Sequence, residues 1–152
     1  MIVLGIDPGN THTAFAAIED NGIICVKYLE NEEAREWLAT MKKAFNVIVC
    51  EMIASYGMAV GKTVFETCVA IGRFQAIAPD MKFITRIQVK SAICHSGRAA
   101  DANIRQALID RYGQPGNKKS PGPTYGISGD MWAALAVATA FADGATLYEF
   151  SK

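Results

Sequence analysis

Three acidic residues stand at positions where a folded chain can bring them to one point. Asp7 ends the apolar run IVLGID, Glu51 ends the run VIVCE, and Asp130 opens the apolar segment DMWAALAVA. Carboxylates gathered at such positions repel one another and lose hydration, so a cation is needed to neutralise them. Oxygen ligands of this kind suit Mg²⁺ or Mn²⁺. The three residues therefore predict a divalent-metal site for phosphoryl transfer.

The composition is that of one ordinary globular domain spanning residues 1–152. Hydrophobic residues make up 51% of the 152, and no apolar run approaches the roughly 20 residues needed to span a bilayer. The N-terminal MIVLGID lacks the basic flank and cleavage site of a signal peptide. The four cysteines form no CxxC pair, which argues against a zinc site. We therefore predict a cytoplasmic protein with reduced cysteines.

The zero formal net charge hides an asymmetry along the chain. Residues 62–119 carry 10 Lys and Arg against 4 Asp and Glu, a net charge of +6, whereas residues 1–61 carry 4 against 8, a net charge of −4. A basic segment of this kind is a candidate surface for contacting phosphates. Solvated helix faces explain the same asymmetry, so the charge supports nucleic-acid binding without establishing it.

Apolar periodicity and turn residues predict five strands and five helices in the order βββαβαβαα plus a closing helix. The predicted strands are 2–7, 13–19, 23–29, 46–52 and 82–87, and the predicted helices are 31–44, 62–78, 88–95, 100–112 and 129–142. Asn21-Gly22 is a hairpin signal, and Asn31 and Ser128 are plausible helix caps. In such an α/β fold, Asp7 and Glu51 end neighbouring strands at one edge of the sheet.

The same motifs carry a resemblance to a known family. GIDPG, the strand-ending glutamate, GRAADANIRQAL and the closing helix DMWAALAVA resemble the RuvC family of Holliday-junction resolvases, most closely its smaller phage and prophage branch. The resemblance covers nearly the whole chain. It implies an RNase H-like fold, with a five-stranded mixed sheet of three antiparallel strands followed by two parallel ones, flanked by helices. It also implies a protein of a bacterial or phage-infected cell.

The family's activity, cofactors and partners are implied by the same resemblance. The implied activity is the nicking of two opposed strands at a four-way DNA junction. The implied cofactor is Mg²⁺, with two ions per site and Mn²⁺ able to substitute. The implied partners are the junction DNA and a second copy of the chain in a homodimer. Asp7, Glu51 and Asp130 match three of the family's acidic metal ligands and are the predicted catalytic residues. The family's fourth acid is replaced by Ala133. Asp101 is the nearest spare acid, although a charge stabilised at a helix N-terminus is its simpler role.

Six residues are candidates for contacting DNA. Tyr56, on the loop after Glu51, is a candidate for stacking on unpaired bases, with ordinary loop packing as the alternative. The other five are basic residues, each equally explained as a solvated surface charge: Lys62, Arg98, Arg105, Lys118 and Lys119. GMAVGKT, which contains Lys62, is one residue short of a P-loop, so no nucleotide cofactor is predicted.

Three other functions remain open at the level of sequence. A nuclease of the same fold acting on other branched DNA or on RNA–DNA hybrids would keep the three acids without needing to dimerise. A non-catalytic protein would bind junctions without cutting them. An actin-like protein would bind ATP through DPGNTHT, but it needs a second facing domain for which this chain is too short, so we expect no nucleotide affinity. Helix 62–78 is apolar on more than one side, so it is either deeply buried or supplies a partner interface. A homodimer would be built on this helix, with Phe74 as the first position to test.

Overall fold

A single five-stranded sheet forms the centre of the computed structural model, which describes residues 1–152. The strands lie in the order β3-β2-β1-β4-β5, with β1 antiparallel to β2, β2 antiparallel to β3, and β1, β4 and β5 parallel to one another. Their bounds are β1 Ile2–Asp7, β2 His12–Glu19, β3 Gly22–Glu30, β4 Val47–Met52 and β5 Lys82–Thr85. The predicted mixed sheet is confirmed.

Five α-helices cover the two faces of this sheet. They are α1 Asn31–Met41, α2 Lys62–Ile77, α3 Arg86–Cys94, α4 Asp101–Tyr112 and α5 Asp130–Ala142, with a short 3₁₀ turn at Lys42–Ala44. One core cluster joins α3, α4 and α5 to one face, and a second joins α1 and α2 to the other. None of the helices has the length and apolar character required to cross a membrane.

The alternation of side chains along the strands decides which face each residue serves. In β1, Val3 belongs to the cluster under α5, whereas Leu4 and Ile6 belong to the cluster under α1 and α2. Asp7 is four residues beyond Val3, so it points to the α5 face. Glu51 follows Val49 by two residues in β4 and points to that face as well, because Val49 also packs under α5.

Helix α5 lies unusually close to β1, and Gly5 makes this approach possible. A Cβ atom added at Gly5 would lie 2.2 Å from the Ala134 carbonyl oxygen and 2.7 Å from the Ala138 amide nitrogen. The two α5 residues at this contact, Ala134 and Ala138, are buried alanines one helical turn apart. Small side chains on both elements therefore set the distance between the helix and the strand.

Four local expectations from the sequence are wrong. The first hairpin turns at Asp20-Asn21, because Glu19 pairs with Gly22 and Asp20 takes the left-handed φ of 53°. Asn31 does not cap α1, whose N-cap residue is Glu30, and the N-cap of α5 is Gly129 rather than Ser128. Strand β5 ends at Thr85 instead of residue 87, because Thr85 caps α3 in a reciprocal capping box.

The expectation for Phe74 is also wrong. Phe74 is fully buried, and its ring meets Phe15 edge to face with centroids 6.1 Å apart. The exposed apolar residues of α2 are Phe65 and Val69, with 61% and 54% of their surface accessible. Phe74 therefore holds α2 against the sheet, and any partner of α2 would contact Phe65 and Val69.

The Gly5 contact gives a test of the fold. Gly5→Ala should lower the free energy of unfolding by about 2 kcal/mol or more, because the added methyl group collides with backbone atoms of α5 that cannot rotate away. Gly72→Ala is the matched control. Gly72 lies on α2 with nothing within 4 Å of the added Cβ, so this change should stabilise the protein by about 0.5–1 kcal/mol. Urea denaturation measures both, and equal stability of Gly5→Ala and the wild type would contradict the close packing.

Candidate functional site

A cleft of about 620 Å³ opens where β1 and β4 end and α5 begins. All three carboxylates predicted from the sequence line it, together with a third aspartate and two arginines. The charged residues of the lining are Asp7, Glu51, Asp101, Asp130, Arg86 and Arg105. The folded chain therefore brings together acids that are separated by 44 and 79 positions in sequence.

The sheet register places Asp7 beside Glu51. Ile6 of β1 pairs with Cys50 of β4, so the next residues along these parallel strands are the two acids, on neighbouring strands about 5 Å apart. Asp130 comes from the first turn of α5, which Gly5 allows to approach β1. Two strand ends and one helix start thus supply one carboxylate each.

The loop after Asp7 is fixed by a small polar network. The Asn31 side chain donates from Nδ2 to the Gly9 carbonyl oxygen at 2.9 Å and accepts from the Thr13 hydroxyl at 2.7 Å. Gly9 itself has no space for a side chain, since an added Cβ would lie 2.3 Å from the His12 carbonyl oxygen. Asn31 therefore holds the β1–β2 loop, which explains why its side chain is not free to cap α1.

The carboxylates are held under electrostatic strain. Burial raises the pKa of Asp7 from 3.8 to about 8, and the negative charges of Glu51 and Asp130 add to the shift, while Arg86 opposes it. Burial likewise raises the pKa of Glu51, and the Arg86 guanidinium counteracts this shift. The site therefore favours added positive charge, whether as a proton on Asp7 or as a cation.

Arg86 is the residue of this cleft that the sequence reasoning missed. It donates from Nη1 to Glu51 Oε1 at 3.2 Å and from Nη2 to Asp101 Oδ1 at 2.6 Å. The predicted strand 82–87 includes Arg86, whereas Arg86 is the first residue of α3. The Thr85 and Gln88 pair is a capping-box signal, and it would have located the helix start and hence Arg86.

Solved structures of one protein share this arrangement of strands and helices. Thermus thermophilus RuvC matches with a TM-score of 0.68 and 19% identity, covering 97% of this chain and 100% of that one. T. thermophilus RuvC in complex with a Holliday junction substrate matches with a TM-score of 0.71 and 16% identity, covering 97% and 99%. The chain has the RNase H-like fold of RuvC. No protein-family model and no curated protein matches the sequence.

The resemblance to RuvC inferred from the motifs is thus confirmed at the level of the fold. At identities below 20% the likeness concerns architecture, and the phage and prophage branch stays a prediction. The RuvC fold places the carboxyl ends of β1 and β4 and the start of α5 around the cleft described above.

The donor set of the cleft suits a hard divalent cation. Three carboxylates offer oxygen ligands, and burial together with the charges of Glu51 and Asp130 raises the pKa of Asp7, so a nearby cation would favour its charged form. As they stand, however, no three of the chain's His, Cys, Asp and Glu side chains are arranged to hold a metal ion. Asp7, Glu51 and Asp130 are the carboxylates that would hold the cation.

The six predicted DNA-contacting residues divide into two groups. Arg105 lines the cleft. The other five lie outside its lining: Tyr56, Lys62, Arg98, Lys118 and Lys119. All five are exposed, and Tyr56 has 55% of its surface accessible and a left-handed φ of 50°. The structure is compatible with a DNA contact by each and brings only Arg105 next to the carboxylates.

The raised pKa of Asp7 gives a test without DNA or metal. Because folding favours the protonated form, stability present at low pH is lost as the pH rises from 3.8 toward 8. Asp7→Asn removes the buried charge, so it should stabilise the metal-free protein by an amount that grows over this range to about 2 kcal/mol at pH 8. Thermal or urea unfolding at several pH values in a chelating buffer measures the difference.

The matched control for this test is Asp80→Asn. Asp80 is exposed in the turn before β5, at the far end of that strand from the cleft, so its replacement should give no such pH-dependent gain. A stability difference between Asp7→Asn and the wild type that is constant with pH would show that Asp7 is not the strained group.

Proposed function

We propose that this protein is a metal-dependent endonuclease that resolves four-way DNA junctions by paired nicks. The observation that supports this most directly is the convergence of Asp7, Glu51 and Asp130 in one cleft of a RuvC fold. One of the matching structures is of a RuvC bound to a Holliday junction, so this fold is compatible with such a substrate. The proposal includes dependence on Mg²⁺, with Mn²⁺ as a substitute.

The cleft's own residues have distinct tasks in this reaction. A bound divalent cation would supply Lewis-acid stabilisation of the charge that builds on the phosphate under attack. Asp7 and Glu51 are largely buried at the ends of β1 and β4, so the strands fix the backbone positions of these two anchors. Asp130 is more exposed, on the first turn of α5, and completes the anionic site. Arg105 lines the same cleft and would attract the phosphate backbone.

The surface beyond the cleft offers further basic groups for the arms of the junction. Arg98 is exposed in the turn between α3 and α4, and Lys118 and Lys119 are exposed on the long loop that ends at the start of α5. This loop is continuous with Ile127 and Ser128, which line the cleft. These cations are therefore candidates for contacting the junction arms that extend beyond the cleft.

A homodimer fits both the symmetry of the substrate and the surface of α2. A four-way junction nicked on two opposed strands calls for two equivalent sites related by a two-fold axis. The apolar side chains left exposed by α2 and the preceding loop are Tyr56, Met58, Val60, Phe65 and Val69. They follow Glu51 directly in the chain, so an interface built on them would set the separation of the two cleavage sites.

The cleavage activity is tested by replacing each acid in turn. Asp7→Asn, Glu51→Gln and Asp130→Asn should each lower the rate of junction cleavage by about 1,000-fold or more, because each removes an anionic anchor of the cation. Junction affinity should change little, since it comes mainly from the basic groups. Synthetic four-way junctions in Mg²⁺ or Mn²⁺ provide the assay, with linear duplex and RNA–DNA hybrid as competing substrates.

Asp80→Asn is again the control, because it changes the same charge far from the cleft. Preferential cutting of RNA–DNA hybrids would replace the resolvase proposal with a hybrid nuclease. Junction binding without cleavage in either metal would indicate a non-catalytic junction-binding protein.

Dimerisation is tested on the exposed face of α2. Phe65→Asp should shift the protein toward the monomer by at least about tenfold in dissociation constant, because it would bury an unpaired charge in the interface. Paired incisions should then become single nicks. Ile24→Asp is the matched control, since Ile24 is a half-exposed apolar residue on β3 at the opposite edge of the sheet. Analytical ultracentrifugation and nicking of a supercoiled cruciform provide the measurements, and paired incision by a stable monomer would contradict the dimer.

A further inference from the structure

A chain of alternating charges extends across one side of the cleft. Glu51 accepts from Arg86 at 3.2 Å, Arg86 donates to Asp101 at 2.6 Å, and Lys90 Nζ lies 3.9 Å from the same Asp101 oxygen. Glu51 is nearly buried, with 15% of its side-chain surface accessible, whereas the Arg86 side chain is 35% accessible. The guanidinium group thus contacts a candidate metal ligand and also faces the open cleft.

The cleft also lacks one acid that the motif resemblance implies. Ala133, one helical turn beyond Asp130, lines the cleft at the position where the motif resemblance implies a fourth acidic ligand. With this methyl group in place of a carboxylate, the cleft keeps four acids, and two of them, Glu51 and Asp101, are already paired with the Arg86 guanidinium. The anionic capacity for two divalent cations is therefore reduced, both by the pairing with Arg86 and by the missing carboxylate at position 133.

Arg86 is well placed to act as a permanent cation. Its backbone is fixed at the start of α3 by the capping box, in which the Thr85 amide donates to Gln88 Oε1 at 2.9 Å and Gln88 N donates to Thr85 Oγ1 at 3.3 Å. Asp101, on the first turn of α4, holds the side chain from the far side. A guanidinium group stays charged at any working pH and has five N–H donors, so three remain after these two hydrogen bonds.

We propose that this cleft takes one divalent cation per chain, held by Asp7, Glu51 and Asp130, and that the Arg86 guanidinium supplies the second positive charge to the phosphate. This inference rests on the proposed nuclease function and deepens it. Arg86 then has a catalytic role, because its free N–H groups donate to the phosphate that undergoes attack. Its bond to Glu51 keeps it at the reaction centre before the DNA arrives.

The number of ions is the direct measurement. Mn²⁺ titration followed by electron paramagnetic resonance, on the free protein and on its complex with a pre-nicked four-way junction, should give one ion per chain and no spin-coupled pair. Two ions per chain in either state would overturn the inference. Because the count needs no cleavage, it decides this point even if the protein proves unable to cut junctions, which would end only the nuclease proposal.

Arg86 variants separate a catalytic role from a structural one. Arg86→Gln removes a positive charge beside Glu51, so the variant protein should bind Mn²⁺ at least about threefold more tightly than the wild type. The same variant should cleave junctions about 100-fold more slowly, because a donor to the phosphate is lost. Arg86→Lys should recover part of the rate, since it restores the charge but not the fork of donors.

The matched control is Arg111→Gln. Arg111 is also ion-paired, through two bonds of 2.6 and 2.7 Å to Asp143, but lies outside the cleft. Its replacement should leave both Mn²⁺ affinity and cleavage rate unchanged. If Arg86→Gln instead weakens Mn²⁺ binding and cleavage together, Arg86 only holds Glu51 in place, and the inference is wrong. Cleavage by Arg86→Gln at the wild-type rate would also overturn it.

Discussion

The contact between Gly5 and α5 is the constraint on which the rest of this structure depends. It allows the helix backbone to lie directly on β1, with only alanine side chains facing the strand at that point. The start of α5, which carries Asp130, is thereby brought to the end of the same strand, which carries Asp7. A larger residue at either surface would move the helix outward and separate the two carboxylates.

The acidic cleft shows how a functional site opposes the stability of its own fold. Burial and mutual repulsion raise the pKa of Asp7 to about 8, so charging this carboxylate at neutral pH costs the metal-free protein free energy. Arg86 relieves part of this cost at Glu51, and Asn31 fixes the loop behind Asp7 without adding charge. This electrostatic cost is concentrated at the carboxyl ends of β1 and β4, while both core clusters consist of packed apolar residues.

Much of this architecture follows from the sequence, because the strands and the acids at their ends have strong local signals. The runs IVLGID and VIVCEM are short and apolar, and the sheet register brings their acids, Asp7 and Glu51, side by side. The alternation of Val3, Gly5 and Asp7 even gives the face of the sheet on which the acid lies. What periodicity does not give is which of two apolar helix faces is buried. Phe74 packs on Phe15, which is distant in sequence, and Phe65 is left exposed.

Arg86 was missed for a related reason. KFITRI has the apolar content of a strand throughout, and only the side-chain bonds between Thr85 and Gln88 end the strand two residues early. A change from strand to helix at this point turns the guanidinium group toward Glu51. The partnership with Asp101 depends on the packing of α4, on which the local sequence carries no information. A residue at a predicted strand end can therefore belong to the following helix instead, and its side chain then points in a different direction.

The two edges of the sheet differ in how they are protected. Beside β5, the amide of Tyr148 donates to the Phe83 carbonyl oxygen at 2.9 Å, and Phe150 meets the rings of both Phe83 and Tyr148 edge to face. The C-terminal residues thus occupy backbone groups that would otherwise template a foreign strand. The nine-residue β3, at the other edge, has no such cover, and Lys27 and Glu30 are among the charges it displays. Strand-to-strand aggregation on partial unfolding of the tail would therefore begin at β5, whereas β3 relies on its charges to remain unpaired.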